Sequence, residues 1–261
     1  MGFRRRGFNH MTKEPHARLV GVTRQFEGKH PVHALGPVDL DLAAGEFFSV
    51  VGPSGCGKST LLDVLAGLSK PTQGSITFEG RAVAGTVPEG VGVVFQEDAS
   101  FPWLTVRRNV AFGLRQSRLD PTEIKVRVDH ALAFMGLGSF SAHYPAQLSG
   151  GMRQRVCIAR TLVARPRLIL LDEPFGALDQ QTRLLMGEEL LRLWRESGAT
   201  VLLITHALDE AAMLSDRVGV MSARPVYRPG TDRLATRARQ PDCLRPGVWR
   251  IDRAAMVVAA G

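Results

Sequence analysis

The sequence predicts an α/β fold: a parallel sheet covered by helices, a small antiparallel sheet on one flank, and a helical subdomain. Three observations predict it. Short apolar, β-branched runs alternate with helix-length patterns through the body of the chain. A glycine-rich segment, Gly52–Ser59, lies between one such run and a helical stretch. No strand-like run occurs between Gln96 and Ala164.

The elements follow in order. Leu19–Phe26 and Val38–Leu42 are short and alternating, and Gly74–Gly80 follows a Pro-Thr-Gln-Gly turn; these form the antiparallel flank. The parallel sheet takes Glu46–Val51, Val91–Phe95, Leu168–Asp172, Thr200–Thr205 and Arg217–Met221. Helices are predicted over Lys58–Leu68, Pro121–Met135, Gly151–Val163, Gln180–Glu196 and Ala207–Leu214. No internal repeat is visible. The folded domain spans 19–223, with the helical subdomain at about 97–164. Residues 1–18 are expected to be a disordered extension. Residues 224–261 are expected to be an irregular Arg/Pro-rich tail, because neither period survives past Pro225 and residues 226–261 hold no Lys or Glu. Two explanations stand: a divergent, disordered tail, or a reading-frame shift near Pro225, which the composition favours. Met1 and Met11 are both acceptable starts.

The net charge of +8 belongs to the ends: 1–18 carry +4, 224–261 carry +5, and the body is −1. A near-neutral body leaves no electrostatic footprint for a nucleic acid. No apolar run reaches the roughly 18–20 residues of a membrane helix. Arg4, Arg5 and Arg6 precede no apolar segment, which excludes a secretory signal. Cys56, Cys157 and Cys243 lie far apart, arguing against disulfides or zinc and for a reducing compartment.

Gly52-Pro53-Ser54-Gly55-Cys56-Gly57-Lys58-Ser59 fits GxxxxGK[ST] between a strand and a helix that continues through Thr60. Glycines let consecutive N–H groups turn inward, and the helix N-terminus adds positive potential, so the segment is built for phosphates. Lys58 is expected on the β- and γ-phosphates and Ser59 on Mg²⁺. Cys56 is either an alkylation-sensitive thiol or a small residue that fits. Downstream, Leu168–Leu171 is followed by Asp172 and Glu173, which places one carboxylate beside the phosphate loop as a Mg²⁺ holder and the next toward the γ-phosphate.

Leu148-Ser149-Gly150-Gly151-Met152-Arg153-Gln154-Arg155 resembles the signature motif of ATP-binding cassette (ABC) proteins. With the phosphate loop, Gln96, LILLDE, Phe175–Asp179 and His206 in that order, the chain is identified as a member of that family over about 19–223. The resemblance implies a P-loop NTPase fold with a RecA-like parallel core and a helical signature subdomain. It implies ATP and Mg²⁺ as ligands, Glu173 as general base, Gln96 sensing Mg²⁺ and the attacking water, and His206 on the γ-phosphate. Ser149, Gly150 and Gly151 would cap ATP held by a second copy, Asp179 would contact that copy, and Phe26 would stack on adenine. Singly these residues have plainer readings: Gln96 as a solvated polar residue, His206 as structural, Phe26 as core, and Arg153, Gln154 and Arg155 in part as solvent-facing.

The chain is most similar to the ATPase subunits of nitrate, taurine and alkanesulfonate importers, through QEDASFPWLTVRRNVAFGL, DEPFGALDQQTR and THALDEA. That implies a head-to-tail ATP-sandwich dimer, membrane permease partners, a periplasmic or extracellular solute-binding protein in the same system, no nucleic acid, and a peripheral position on the cytoplasmic face of the inner membrane. Phe101-Pro102-Trp103 would receive the permease or pack the helical subdomain; both readings stay open. The competing readings are a soluble non-transport ABC ATPase, which would carry a coiled-coil insertion or a second cassette, and an exporter ATPase subunit.

Overall fold

The computed structural model describes residues 15–96, 99–115, 117–176, 178–222 and 235–238. A four-stranded antiparallel sheet comprises β1 (Ala17–Phe26), β2 (Val32–Leu42), β4 (Gln73–Phe78) and β5 (Arg81–Ala82), in the order β2-β1-β4-β5. A six-stranded sheet comprises β3 (Phe47–Val51), β6 (Val91–Val94), β7 (Leu168–Asp172), β8 (Thr200–Thr205), β9 (Arg217–Val220) and β10 (Ala235–Ala238), in the order β10-β9-β3-β8-β7-β6. It is parallel except for β10, which runs antiparallel to β9. The expected α/β architecture with its antiparallel flank is borne out.

The central strands β3, β7 and β8 are buried along their whole length, and period-2 geometry divides the core in two. Phe47, Ile169, Leu171, Val201 and Leu203 face one apolar cluster, shared with α2 (Val106–Phe112), α3 (Pro121–Phe134), α4 (Gly150–Leu162) and α5 (Gln180–Ser197). Phe48, Val50, Leu168, Leu170, Leu202 and Ile204 face the other, shared with α1 (Lys58–Leu65) and the antiparallel sheet. A further α-helix, α6 (Leu208–Leu214), follows β8.

Some boundaries differ from expectation for physical reasons. β1 begins at Ala17, inside the stretch expected to be a disordered extension, because Ala17 is fully buried and pairs with Leu42 and Phe78. β2 is twice its expected length. Gly36 and Pro37 hid its first half, but β2 is an edge strand, and the register steps by one extra residue between Val38 and Leu35, so the proline falls in a bulge. In the tail, Ala235–Ala238 form β10 against β9, so 224–261 is not irregular throughout. Backbone pairing to an edge strand needs no side-chain periodicity, which is why composition gave no sign of it. The remaining calls on residues 1–14, on 223–234 and on 239–261, including the frame shift, lie outside the described residues.

Candidate nucleotide site

All the loops that matter leave the same edge of the parallel sheet. Register sets Val51 opposite Thr205, Asp172 opposite Ile204, and Val94 opposite Leu171. The phosphate loop after β3, Gln96 after β6, Asp172–Glu173 at the end of β7 and His206 after β8 therefore converge at the carboxyl ends of the strands, where open α/β sheets bind ligands. There, Ser54, Gly55, Gly57, Lys58, Ser59, Thr60, Gln96, Glu173 and His206 line one cleft of ≈ 470 Å³.

The loop's shape requires its glycines. Gly57, at φ 108°, caps α1, and a Cβ there would sit 2.3 Å from the Ala34 carbonyl oxygen. A Cβ at Gly52 would sit 2.5 Å from the Met221 carbonyl oxygen. No side chain caps α1 and no acid occupies its first turn, so its leading N–H groups are left to face an anion. Lys58 is buried and donates to the carbonyls of Gly52 (2.8 Å) and Pro53 (3.0 Å), which holds its ammonium across the loop. Cys56 is buried, and its sulfur would meet a Cβ on Gly52 at 3.0 Å; the geometry favours the packing role.

Asp172 is 7% exposed, and its Oδ1 is buried without a hydrogen-bond partner. Burial pushes its carboxyl above the usual aspartate range, opposed by the Ser59 hydroxyl and Lys58 and reinforced by Glu173 and Asp63. Glu173 has a left-handed backbone (φ 44°), and its N–H donates to the Ile204 carbonyl at 2.9 Å. That turn brings its carboxylate Oε2 to 3.2 Å from the Gln96 amide nitrogen and 3.3 Å from His206 Nδ1. A left-handed non-glycine residue is uncommon and clusters at functional sites. Gln96 and His206, both exposed, thus meet one carboxylate oxygen.

The other expected residues do not line this cleft. Ser149 caps α4, its hydroxyl accepting from Met152 N–H at 3.3 Å, with Gly150 exposed beside it. Asp179 caps α5, accepting from the Thr182 N–H (2.9 Å) and hydroxyl (2.6 Å), which hold its carboxyl below the usual range. Phe26 ends β1 with 44% of its surface exposed and the Arg24 guanidinium 4.6 Å over its ring, so it is not core.

In the signature triplet Gln154 is buried, and Arg153 and Arg155 are half-buried. Arg153 donates to the Leu148 carbonyl (2.7 Å), Gln154 to that of Phe95 (3.3 Å) and Arg155 to that of Met135 (3.0 Å). Gln154 and Thr161, with Arg160 on Ala99, fasten α4 to both sides of Gln96. Phe101 packs between Phe112, Trp103 and Arg160, whereas Trp103 is 70% exposed.

Asn109 and Glu210 are among the buried polar residues that the sequence did not single out. Asn109 is fully buried; it accepts from Phe101 N–H (2.8 Å) and donates to the carbonyls of Phe101, Leu104 and Thr105. Glu210, also buried, accepts from the Thr205 hydroxyl. Both share the buried face of their helices: Asn109 beside Val106 and Val110, Glu210 beside Ala211 and Leu214. A polar residue at an apolar helical position is the signal that would have found them.

Comparison with known proteins points the same way. The family model for "ABC transporter" matches residues 35–176. The taurine import ATP-binding protein TauB of Pelagibacter ubique is 48% identical over 194 residues, 74% of this chain and 73% of that protein. The nitrate import ATP-binding protein NrtD of Synechocystis sp. is 45% identical over 211 residues, 80% and 79% of the two chains. Among solved structures, a dimeric post-hydrolysis state of the ATP-binding cassette MJ0796, bound to ADP and Pi, matches with a TM-score of 0.72 and 32% identity, covering 80% of this chain and 97% of that one. More than half of the sequence lies within the family model, and this chain belongs to the ABC transporter family.

Proposed function

We propose that this chain powers the inward transport of a small anionic or zwitterionic solute of the nitrate, taurine or alkanesulfonate kind. It is an ATP-hydrolysing subunit whose ATPase activity is coupled to import, and relatives named for import set aside the exporter and soluble alternatives. The solute class rests on likeness to the taurine and nitrate importer subunits.

The observation that carries the chemistry is the cluster around Glu173. Its carboxylate, held by Gln96 and His206 in the cleft that Lys58 also lines, supports a role as the base for water attacking the γ-phosphate. Backbone N–H groups of Gly55, Cys56, Gly57 and Lys58, with Thr60 following, receive the phosphates, and the Lys58 side chain exchanges the Gly52 and Pro53 carbonyls for phosphate oxygens. The buried, unpartnered Asp172 Oδ1 beside Ser59 suits Mg²⁺, a hard cation that takes few protein oxygens and completes its shell with phosphates and water. Among the described residues no group of three or more His, Cys, Asp or Glu could hold a metal ion. Ser59, Asp172 and Gln96 would hold it, and it supplies neutralisation of the developing charge. Phe26 offers an exposed aromatic face for adenine.

Ser149, Gly150, Gly151 and Asp179, outside the cleft, serve a second copy, so two chains close head to tail over two ATP molecules. Trp103 docks on the permease, and a solute-binding protein delivers the solute to it. Among the described residues no helix is long and apolar enough to cross a membrane; the chain works peripherally on the cytoplasmic face. In cells lacking the gene, uptake of nitrate, taurine or an alkanesulfonate should fall. The wild-type gene should restore it and the Glu173→Gln gene should not. Unchanged uptake of all three solutes would contradict the solute class.

A further inference from the structure

The Thr205 hydroxyl closes the turn that carries His206. It accepts from Ala207 N–H at 3.0 Å and donates to Glu210 Oε2 in the first turn of α6. Thr205 is 2% exposed and Glu210 8% exposed. One residue from that hydroxyl, His206 Nδ1 meets Glu173 Oε2 at 3.3 Å. On the far side, Arg183 of α5 donates to the Leu178 carbonyl at 3.2 Å, and its charge acts on the Glu210 carboxylate.

A carboxyl in this place is expensive. Burial pushes Glu210 above the usual glutamate range, with Asp209 adding to the shift and Thr205, Arg183 and His206 opposing it. Its Oε1 is buried without a hydrogen-bond partner. Helix stability does not require it there, because exposed Asp209 already supplies an acid in the first turn of α6. What the carboxyl uniquely touches is the hydroxyl that fixes the His206 turn.

We infer that Glu210 is a positioning residue for ATP hydrolysis, acting through Thr205 to hold His206 against Glu173. This rests on the hydrolytic role proposed for that pair. Glu210 need not be charged to do it: an amide oxygen in the same place also accepts from Thr205.

The test is steady-state ATPase kinetics on the full-length protein. Glu210→Ala should lower kcat by about 10- to 100-fold, the scale of a misplaced catalytic group, with KM for ATP unchanged. Glu210→Gln should restore most of the rate, which a need for the charge would not allow. Thr205→Val, nearly isosteric, should reproduce the loss, and it carries the test if Glu210→Ala fails to fold. In a His206→Ala background, Glu210→Ala should add no further loss, because groups acting as one unit are non-additive. Wild-type turnover in both Glu210→Ala and Thr205→Val overturns the inference. So does a slow His206→Ala enzyme whose loss multiplies with that of Glu210→Ala, and that result leaves the role of His206 intact. A His206→Ala enzyme at the wild-type rate removes the role of His206 itself.

Discussion

At the scale of single residues, catalysis and stability oppose each other at Asp172. A carboxyl whose folded-state pKa lies above its unfolded value favours folding most when both states are protonated. That contribution is lost as pH rises through the folded-state pKa, so at neutral pH the buried carboxylate destabilises the fold. Asp172→Asn should therefore raise Tm at neutral pH, with the gain shrinking as pH falls toward the ordinary aspartate range. ATP hydrolysis should drop by about 100-fold or more, since a metal at a phosphoryl oxygen contributes several kcal/mol. Thermal melts across pH, paired with phosphate-release assays, check both. The identity and order of Lys58, Asp172, Glu173 and His206 were legible because each follows an apolar strand. The left-handed backbone that turns Glu173 toward Gln96 and His206 was not, because nothing in the residue type announces it.

At the scale of elements, most helices and strands were found to within a few residues. The α-helix that was missed is α2, because two arginines and an asparagine among its seven residues blur the apolar period. It is held instead by polar contacts, with Thr105 capping it and Asn109 tying it back to Phe101, Leu104 and Thr105. Asn109→Leu keeps the volume but takes the side-chain partner from the buried Phe101 N–H and the Leu104 carbonyl, while the Phe101 and Thr105 carbonyls keep the backbone N–H groups of Leu104 and Asn109. It should destabilise the protein by about 2–3 kcal/mol. The urea midpoint should move down, with trypsin cleavage rising first around residues 99–115. β2 and β10 were obscured for another reason: as edge strands they tolerate proline and irregular composition that an interior strand excludes.

At the scale of the whole molecule, one sheet edge collects the hydrolytic groups, while α4 carries the signature to another place on the surface. The hydrogen bonds from Gln154, Arg160 and Thr161 tie α4 to the strand and loop around Gln96. The sequence predicts two phosphate-binding half-sites in one chain, and in the structure Ser149 and Gly150, at the start of α4, are not among the residues that line the cleft of Lys58 and Glu173. That separation is the physical basis for expecting a second copy. The most direct measurement is light scattering of Glu173→Gln with ATP and Mg²⁺, alongside bound-nucleotide stoichiometry. Removing the base should slow hydrolysis by about 100-fold or more and trap a species of twice the chain mass, with one ATP per chain. A variant that binds one ATP per chain and stays monomeric would contradict the shared site.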